Sequence, residues 1–157
     1  MSRTLLIPQH AFAETERFLK QRGTARMEGL VLWAGRCDDQ SDNVLTIIKA
    51  GDDWPHGVRL KFDQMLKLTE FLAGNGLTLL AQVHNHPDRI PHSQGDNDNP
   101  ASHRPGYLSL VVPEMALHGI RVHDCYAYEY VGRLTWREWD ATERVGRVRI
   151  VPKGLRL

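Results

Sequence analysis

The stretch from Leu79 to Asp96, LLAQVHNHPDRIPHSQGD, constrains the fold more than any other part of the chain. Its apolar opening, Leu79 to Val83, reads as a strand that runs directly into His84 and His86. Side chains alternate along a strand, so positions i and i+2 leave the same face and both imidazoles aim at one spot. Imidazole nitrogens together with a nearby carboxylate are zinc ligands, and three protein ligands plus a water make a catalytic site rather than a structural one. The pattern points to a hydrolase built around a metal ion at the end of a strand.

Helical and strand patterns surround this segment, with no repeat, linker or low-complexity run. Pro8 to Gly23 reads as a helix, with Pro8 in its first turn and Gly23 as its stop. Met27 to Gly35, MEGLVLWAG, is a compact apolar run expected as a buried strand with Glu28 at its start, and Val44 to Lys49 follows as another. Gly51 to Gly57 reads as a polar loop and Val58 to Phe62 as a short strand. Asp63 is placed to N-cap a second helix with Met65, Leu66, Leu68, Phe71 and Leu72 as its apolar stripe, ended by Gly74 and Gly76. Pro87 to Gly106 is a long polar loop, a kind of segment that tends to be functional. Tyr107 to Val112 reads as a buried strand closed by Pro113. Asp124 to Val131 and Arg133 to Trp139 read as a hairpin turning at Gly132, and Val145 to Val151 as a last strand. Hairpinned strands with two helices make α+β the expected class, a mixed β-sheet flanked by helices.

At 157 residues the chain is expected to be a single domain, 1–157, long enough to close a hydrophobic core. With 20 basic against 19 acidic residues the net charge is +1, so no bulk field draws nucleic acid or an anionic membrane. The longest apolar runs, such as Leu77 to Val83, are far too short to span a bilayer. The first residues carry no apolar stretch of signal-peptide length, so a cytoplasmic location is expected. Cys37 and Cys125 form no CxxC pair, and free thiols, with Cys125 as a small buried hydrophobe, are the expectation.

The chemistry needs a third ligand, a base and a donor for the developing oxyanion. Asp96 lies on a loop able to fold back onto the histidine strand, and Asp98 is a rival carboxylate two residues later. Glu28 heads a core strand that can neighbour the histidine strand. A carboxylate within hydrogen-bond reach of a zinc-activated water can take its proton and later deliver it to a leaving amine. A hydroxyl such as Ser93 can donate to the tetrahedral oxygen.

Glu28, then His84-Asn85-His86-Pro87, then Ser93-Gln94-Gly95-Asp96 resemble the motif of the JAMM zinc metalloprotease family, also called the JAB or MPN family: a distant Glu, H-x-H-P, and S-x-x-D. The helix before the Glu28 strand, the helix before the histidine strand and the strand beginning Gly-Tyr-Leu-Ser-Leu-Val-Val fall in the family's order, so the resemblance covers roughly Leu5 to Trp139. It implies the MPN (cytidine-deaminase-like) fold. It further implies zinc held by His84, His86 and Asp96, Glu28 as general acid/base, and Ser93 as oxyanion helper. Six residues separate His86 from Ser93, one fewer than the usual pattern, which keeps Asp98 as the alternative third ligand. The implied activity is hydrolysis of an amide or isopeptide bond after the C-terminus of a ubiquitin-like protein. The absence of large insertions is similar to bacterial members, some encoded beside ubiquitin-like, E1-like and E2-like proteins in antiviral systems.

Two other classes compete. A non-catalytic MPN scaffold would have lost ligands, whereas the full set is present. A zinc nucleoside deaminase would need H-x-E with a downstream P-C-x-x-C, and neither occurs. Within the same fold, a peptidase acting on cell-wall amides or a carrier-protein tail is a further alternative. The remaining histidines have ordinary expectations: His92 and His103 as solvated loop residues, and His10, His56, His118 and His123 at the surface. Trp33 and Trp54 are expected in core or loop packing, Trp136 and Trp139 against the late strands, and Arg144, Arg147 and Arg149 along a solvated strand face.

Overall fold

The computed structural model describes residues 3–50 and 60–152. The strands are β1 (Thr4–Pro8), β2 (Leu30–Cys37), β3 (Ser41–Ala50), β4 (Thr78–Asn85), β5 (Leu108–Val112), β6 (Tyr126–Gly132), β7 (Thr135–Glu138) and β8 (Val148–Val151). They join helices α1 (Gln9–Thr24), α2 (Phe62–Asn75), α3 (Gln94–Asp98) and α4 (Ala141–Arg147). One mixed sheet runs in the order β7-β6-β5-β4-β2-β3-β1-β8, with β4 parallel to β5 and antiparallel to β2. The class is α+β, as the pattern of elements suggests.

The continuous apolar runs of β2, β4 and β5 belong to the interior of this sheet, where both faces are covered. On one face Val31, Trp33, Ala81, Val83, Leu108 and Leu110 pack against Phe12 and Leu19 of α1. On the other, Leu30, Leu32 and Leu79 meet Leu68 of α2 and Tyr130 of β6. The Trp33 indole N–H, fully buried, donates to the Thr15 hydroxyl at 3.0 Å, so this large side chain enters the core without an unpaired donor. Gly23 is needed where α1 ends, since a Cβ there would stand 1.8 Å from the carbonyl oxygen of Met115.

Register then sets the site. His84 lies opposite Leu30 of β2 and Val111 of β5, so Glu28, just ahead of Leu30, shares the end of the sheet that bears the histidines. Both sides of β4 are paired, and the histidine strand itself offers no free edge for an extended peptide.

Several local expectations are corrected. Pro8 ends β1, a strand unforeseen in the sequence, and serves as the N-cap residue of α1. Glu28 precedes β2 instead of lying within it. Lys61, not Asp63, is the N-cap of α2, and Gly76 with φ of 62° ends the helix in the left-handed conformation while Gly74 remains inside it. Of the α2 stripe only Leu68 is buried; Leu66 and Phe71 are exposed. The expected loop at 51–57, with Trp54 and His56, lies outside the described residues. So do Val58 and Arg59 of the expected third strand, and its remaining residues leave no strand, Phe62 already beginning α2. The expected strand from Val145 is half helix. Arg144 and Arg147 belong to α4, where Arg147 pairs with Glu129 at 2.8 Å and Glu143 at 3.1 Å and lies over Trp139. Arg147 thus ties α4 to the sheet, whereas Arg149 is exposed in β8, on the solvated strand face expected of it.

Candidate metal centre

His84 is the penultimate residue of β4 and His86 stands one residue beyond its end, their ring centroids 4.8 Å apart. Asp96 comes from α3, a single turn inside the long polar loop, with Ser93 as N-cap: the Ser93 hydroxyl accepts from the Asp96 N–H at 3.1 Å. The Asp96 carboxylate in return accepts the Ser93 N–H at 2.8 Å. This reciprocal capping box turns Asp96 inward. Its Oδ2 lies 3.5 Å from His84 Nε2 and 3.3 Å from His86 Nε2. Potential ligand atoms of His84, His86 and Asp96 all fall within 4.8 Å of one another. Asp98 faces the cleft but is outside this group, and its Oδ1 accepts from the Gln94 amide at 2.9 Å.

The hydrogen bonding suits a metal. His86 Nδ1 lies 3.1 Å from the carbonyl oxygens of both Ile90 and Pro91, which fixes its proton there and leaves the Nε2 lone pair facing Asp96. Both ring nitrogens of His84 are buried and, beyond the 3.5 Å approach of Asp96 to Nε2, have no hydrogen-bond partner among the described residues, an arrangement that is costly unless one of them is a ligand. Burial pushes the Asp96 pKa up, but the two histidines and the Ser93 N–H outweigh it and hold the carboxyl well below the usual range. His86 is raised overall, burial being overcome by Asp96 and then Glu28.

Glu28 is buried, with Oε1 4.0 Å from His86 Nε2. The peptide that follows it is pinned at both its carbonyl and its N–H. The Arg22 guanidinium donates to the Glu28 carbonyl at 3.1 Å, and the next N–H, of Gly29, donates to Asn85 Oδ1 at 2.6 Å. Asn85, the residue between the two histidines, points to the opposite face of β4 and is wholly buried. It therefore couples the histidine strand to the segment bearing Glu28. A turn at Glu114, Met115 and Ala116, all with φ between 55° and 60°, braces the far side. Its Met115 N–H donates to the His86 carbonyl at 2.9 Å and its Glu114 N–H to that of Asp88 at 2.6 Å. Left-handed conformations at three successive non-glycine residues are strained, and such strain gathers at functional sites.

These groups open onto a cleft of about 510 Å³ lined by Glu28, Leu30, Leu60, Met65, His103 and the loop from Ser93 to Ala101. His103 is exposed at its rim, whereas His92 is not the solvated residue expected. Its Nδ1 meets Asn97 at 3.0 Å and its Nε2 meets Ser109 at 2.8 Å. Burial, with His84 nearby, lowers its pKa to about 4. Neither Asn85 nor the packing of His92 was legible as functional. The position of Asn85 between two inward histidines was the available signal, because alternation sends it to the other face.

No protein-family model matches the chain. It is 31% identical over 141 residues to the probable metalloprotease y4jG of Sinorhizobium fredii, a match covering 87% of each chain. In fold it is similar to the solution structure of protein DSY2949 from Desulfitobacterium hafniense, with a TM-score of 0.68, 14% identity, and coverage of 96% of this chain and 95% of that one. Among the described residues no helix is long and apolar enough to cross a membrane.

Proposed function

The chain belongs to the family of the Sinorhizobium fredii probable metalloprotease, and from that premise we propose that it is a zinc-dependent peptidase of the JAMM type with an MPN fold. Its proposed reaction is hydrolysis of the amide bond that follows the C-terminus of a ubiquitin-like protein. The observation that carries the reading is the meeting of Glu28, His84, His86 and Asp96 in one cleft, with neither His84 nitrogen hydrogen-bonded among the described residues. His84, His86 and Asp96 would hold the ion as two neutral imidazoles and one carboxylate, a donor set suited to zinc that leaves room for a water or substrate oxygen. When bound, zinc supplies Lewis acidity toward the scissile carbonyl and makes water a nucleophile near neutral pH.

The chain's own groups divide the remaining work. Glu28, held by its backbone anchors, takes a proton from the attacking water and returns it to the departing amine. The Ser93 hydroxyl accepts the Asp96 N–H but keeps its own proton, which is free to donate to the carbonyl oxygen as charge develops. Leu30, Leu60, Met65, Pro100 and Ala101 in the lining of the cleft suit an extended tail with small residues before the scissile bond. A place in a bacterial antiviral ubiquitin-like system, beside E1-like and E2-like proteins and in the cytoplasm, follows from the motif resemblance and belongs to the proposal.

Elemental analysis of the purified protein should find about one zinc per chain. Mass spectrometry should show cleavage after the terminal glycine of a ubiquitin-like protein bearing a C-terminal extension. Glu28→Ala and His84→Ala should each abolish that cleavage with the fold intact. Cleavage retained by a metal-stripped Glu28→Ala protein would overturn the mechanism.

A further inference from the structure

We infer that His92 is a positioning residue for the metal centre, locking the short helix that carries Asp96 onto the sheet through a one-way chain of hydrogen bonds. The inference rests on reading His84, His86 and Asp96 as ligands. The chain begins in the core: the Tyr107 hydroxyl donates to Gln82 Oε1 at 3.0 Å, and Gln82 Nε2 donates to Ser109 Oγ at 3.1 Å. The Ser109 hydroxyl keeps its own proton, which it donates to His92 Nε2 at 2.8 Å. With Nε2 an acceptor, the imidazole proton is on Nδ1, which donates to Asn97 Oδ1 at 3.0 Å. In this direction each hydrogen bond of the chain runs from a donor to an acceptor, with His92 in its neutral Nδ1–H form.

Asn97 directly follows Asp96, while Ser109 is fully buried in β5, the strand paired with the histidine strand. One imidazole thus ties the ligand-bearing turn to the framework that positions the other two ligands. The tie is needed because an isolated helix of this length has no stability of its own. The aromatic face of the β6–β7 hairpin reinforces it. Tyr128 stacks on the His92 ring at 4.1 Å, and Trp136 meets it edge-on at 5.0 Å. The Trp136 indole N–H donates to the Asn97 carbonyl at 3.2 Å, and Tyr126 OH donates to that of Arg89 at 2.9 Å. His92 is 5.9 Å from the His84 ring, yet both its nitrogens are engaged, so it supports the site without joining the ligand group.

The test uses zinc affinity, measured by competition with a chromophoric chelator, and the visible spectrum of the cobalt-substituted protein. His92→Phe keeps a stacking ring but removes both hydrogen bonds, and Ser109→Ala removes the donor to Nε2 alone. Each should weaken zinc binding about 10- to 100-fold, the range for outer-shell partners, and shift the cobalt bands while the far-ultraviolet circular dichroism is unchanged. In an Asp96→Asn background His92→Phe should cost no further affinity, because the ligand it orients is already lost. Zinc binding within twofold of the parent, or an equal loss in both backgrounds, overturns the positioning role and leaves the ligand assignment standing. Failure of the parent protein itself to take up zinc or cobalt overturns the ligand assignment, and the inference with it.

Discussion

Replacing Asn85 with alanine tests how the two halves of the site are joined. The side chain is fully buried; its Oδ1 accepts the Gly29 N–H at 2.6 Å, and its Nδ2 lies 3.3–3.4 Å from the carbonyls of Leu19, Met27 and Met115. Alanine leaves the Gly29 N–H buried without a partner, which costs about 1–3 kcal/mol. The long donations to carbonyl groups add about 1 kcal/mol together. A loss of about 2–4 kcal/mol lowers Tm by roughly 8 °C in a chain of this size and moves the urea midpoint down by about 1–2 M at unchanged slope. Asn85→Asp supplies an internal control. It keeps an acceptor for Gly29 but turns a carboxylate toward carbonyl oxygens, so its folded-state pKa rises above the unfolded value. The folded state then binds the extra proton, and the deficit of Asn85→Asp should shrink as pH falls through that raised pKa and grow at neutral pH. Equilibrium urea denaturation followed by circular dichroism measures all three proteins. An Asn85→Ala unfolding free energy within about 0.5 kcal/mol of the parent would refute the claim that this side chain couples Glu28 to the histidine strand.

Three further outcomes are expected. Zinc at 100 times its Kd should stabilise the protein by about 2.7 kcal/mol, seen as a Tm increase that chelator reverses and that His84→Ala abolishes. A thiol reagent at pH 8 should modify one cysteine in the native protein and two after unfolding, since Cys37 is exposed whereas burial raises the Cys125 thiol to about 12; rapid modification of both would contradict that burial. The β6–β7 hairpin turns through Arg133 and Leu134 at φ of 53° and 54°, a two-residue loop that favours Asn-Gly. Arg133→Asn with Leu134→Gly should therefore raise stability by about 1–2 kcal/mol in the same urea assay.

The interior of the sheet was legible because its signals are local and strong. LVLWAG, LLAQV and LSLVV are unbroken apolar runs, and strands covered on both faces read that way. Alternation then put His84 and His86 on one face without tertiary information. What escaped the sequence depends on partners distant along the chain. β1 is five residues long and earns its place through pairing with β3 and β8. The helix at 141–147 hid inside valine and arginine alternation that suits a strand equally well. It is settled by the Asp140 cap and by the pairing of Arg147 with Glu129, eighteen residues earlier. His92 looked solvated because, Asn97 apart, its partners Ser109, Tyr128 and Trp136 lie beyond the loop.

The choice between Asp96 and Asp98 shows what kind of information was missing. Read as an irregular loop, the segment after His86 leaves either carboxylate able to swing inward, and its one-residue shortening moves both equally. Once Ser93 caps a helical turn the two cease to be equivalent, because residues two apart on a helix point about 200° away from each other. The capping box holds Asp96 on the side of the histidines, and the same rotation carries Asp98 to the side where Gln94 bonds it. The signal for this was in the sequence, since Ser93 and Asp96 stand at the spacing of an N-cap and its third helical residue. The family resemblance gives the same two residues the roles of a hydroxyl donor and a ligand. The two readings are compatible, because a hydroxyl that accepts one N–H retains a proton to give. The proposed mechanism therefore gives Ser93 two separable duties. Ser93→Ala should weaken both zinc affinity and turnover, whereas Ser93→Asp, which restores an N-cap acceptor without a hydroxyl proton, should recover the metal and not the rate. Recovery of both would remove Ser93 from the chemistry and leave it only as the cap.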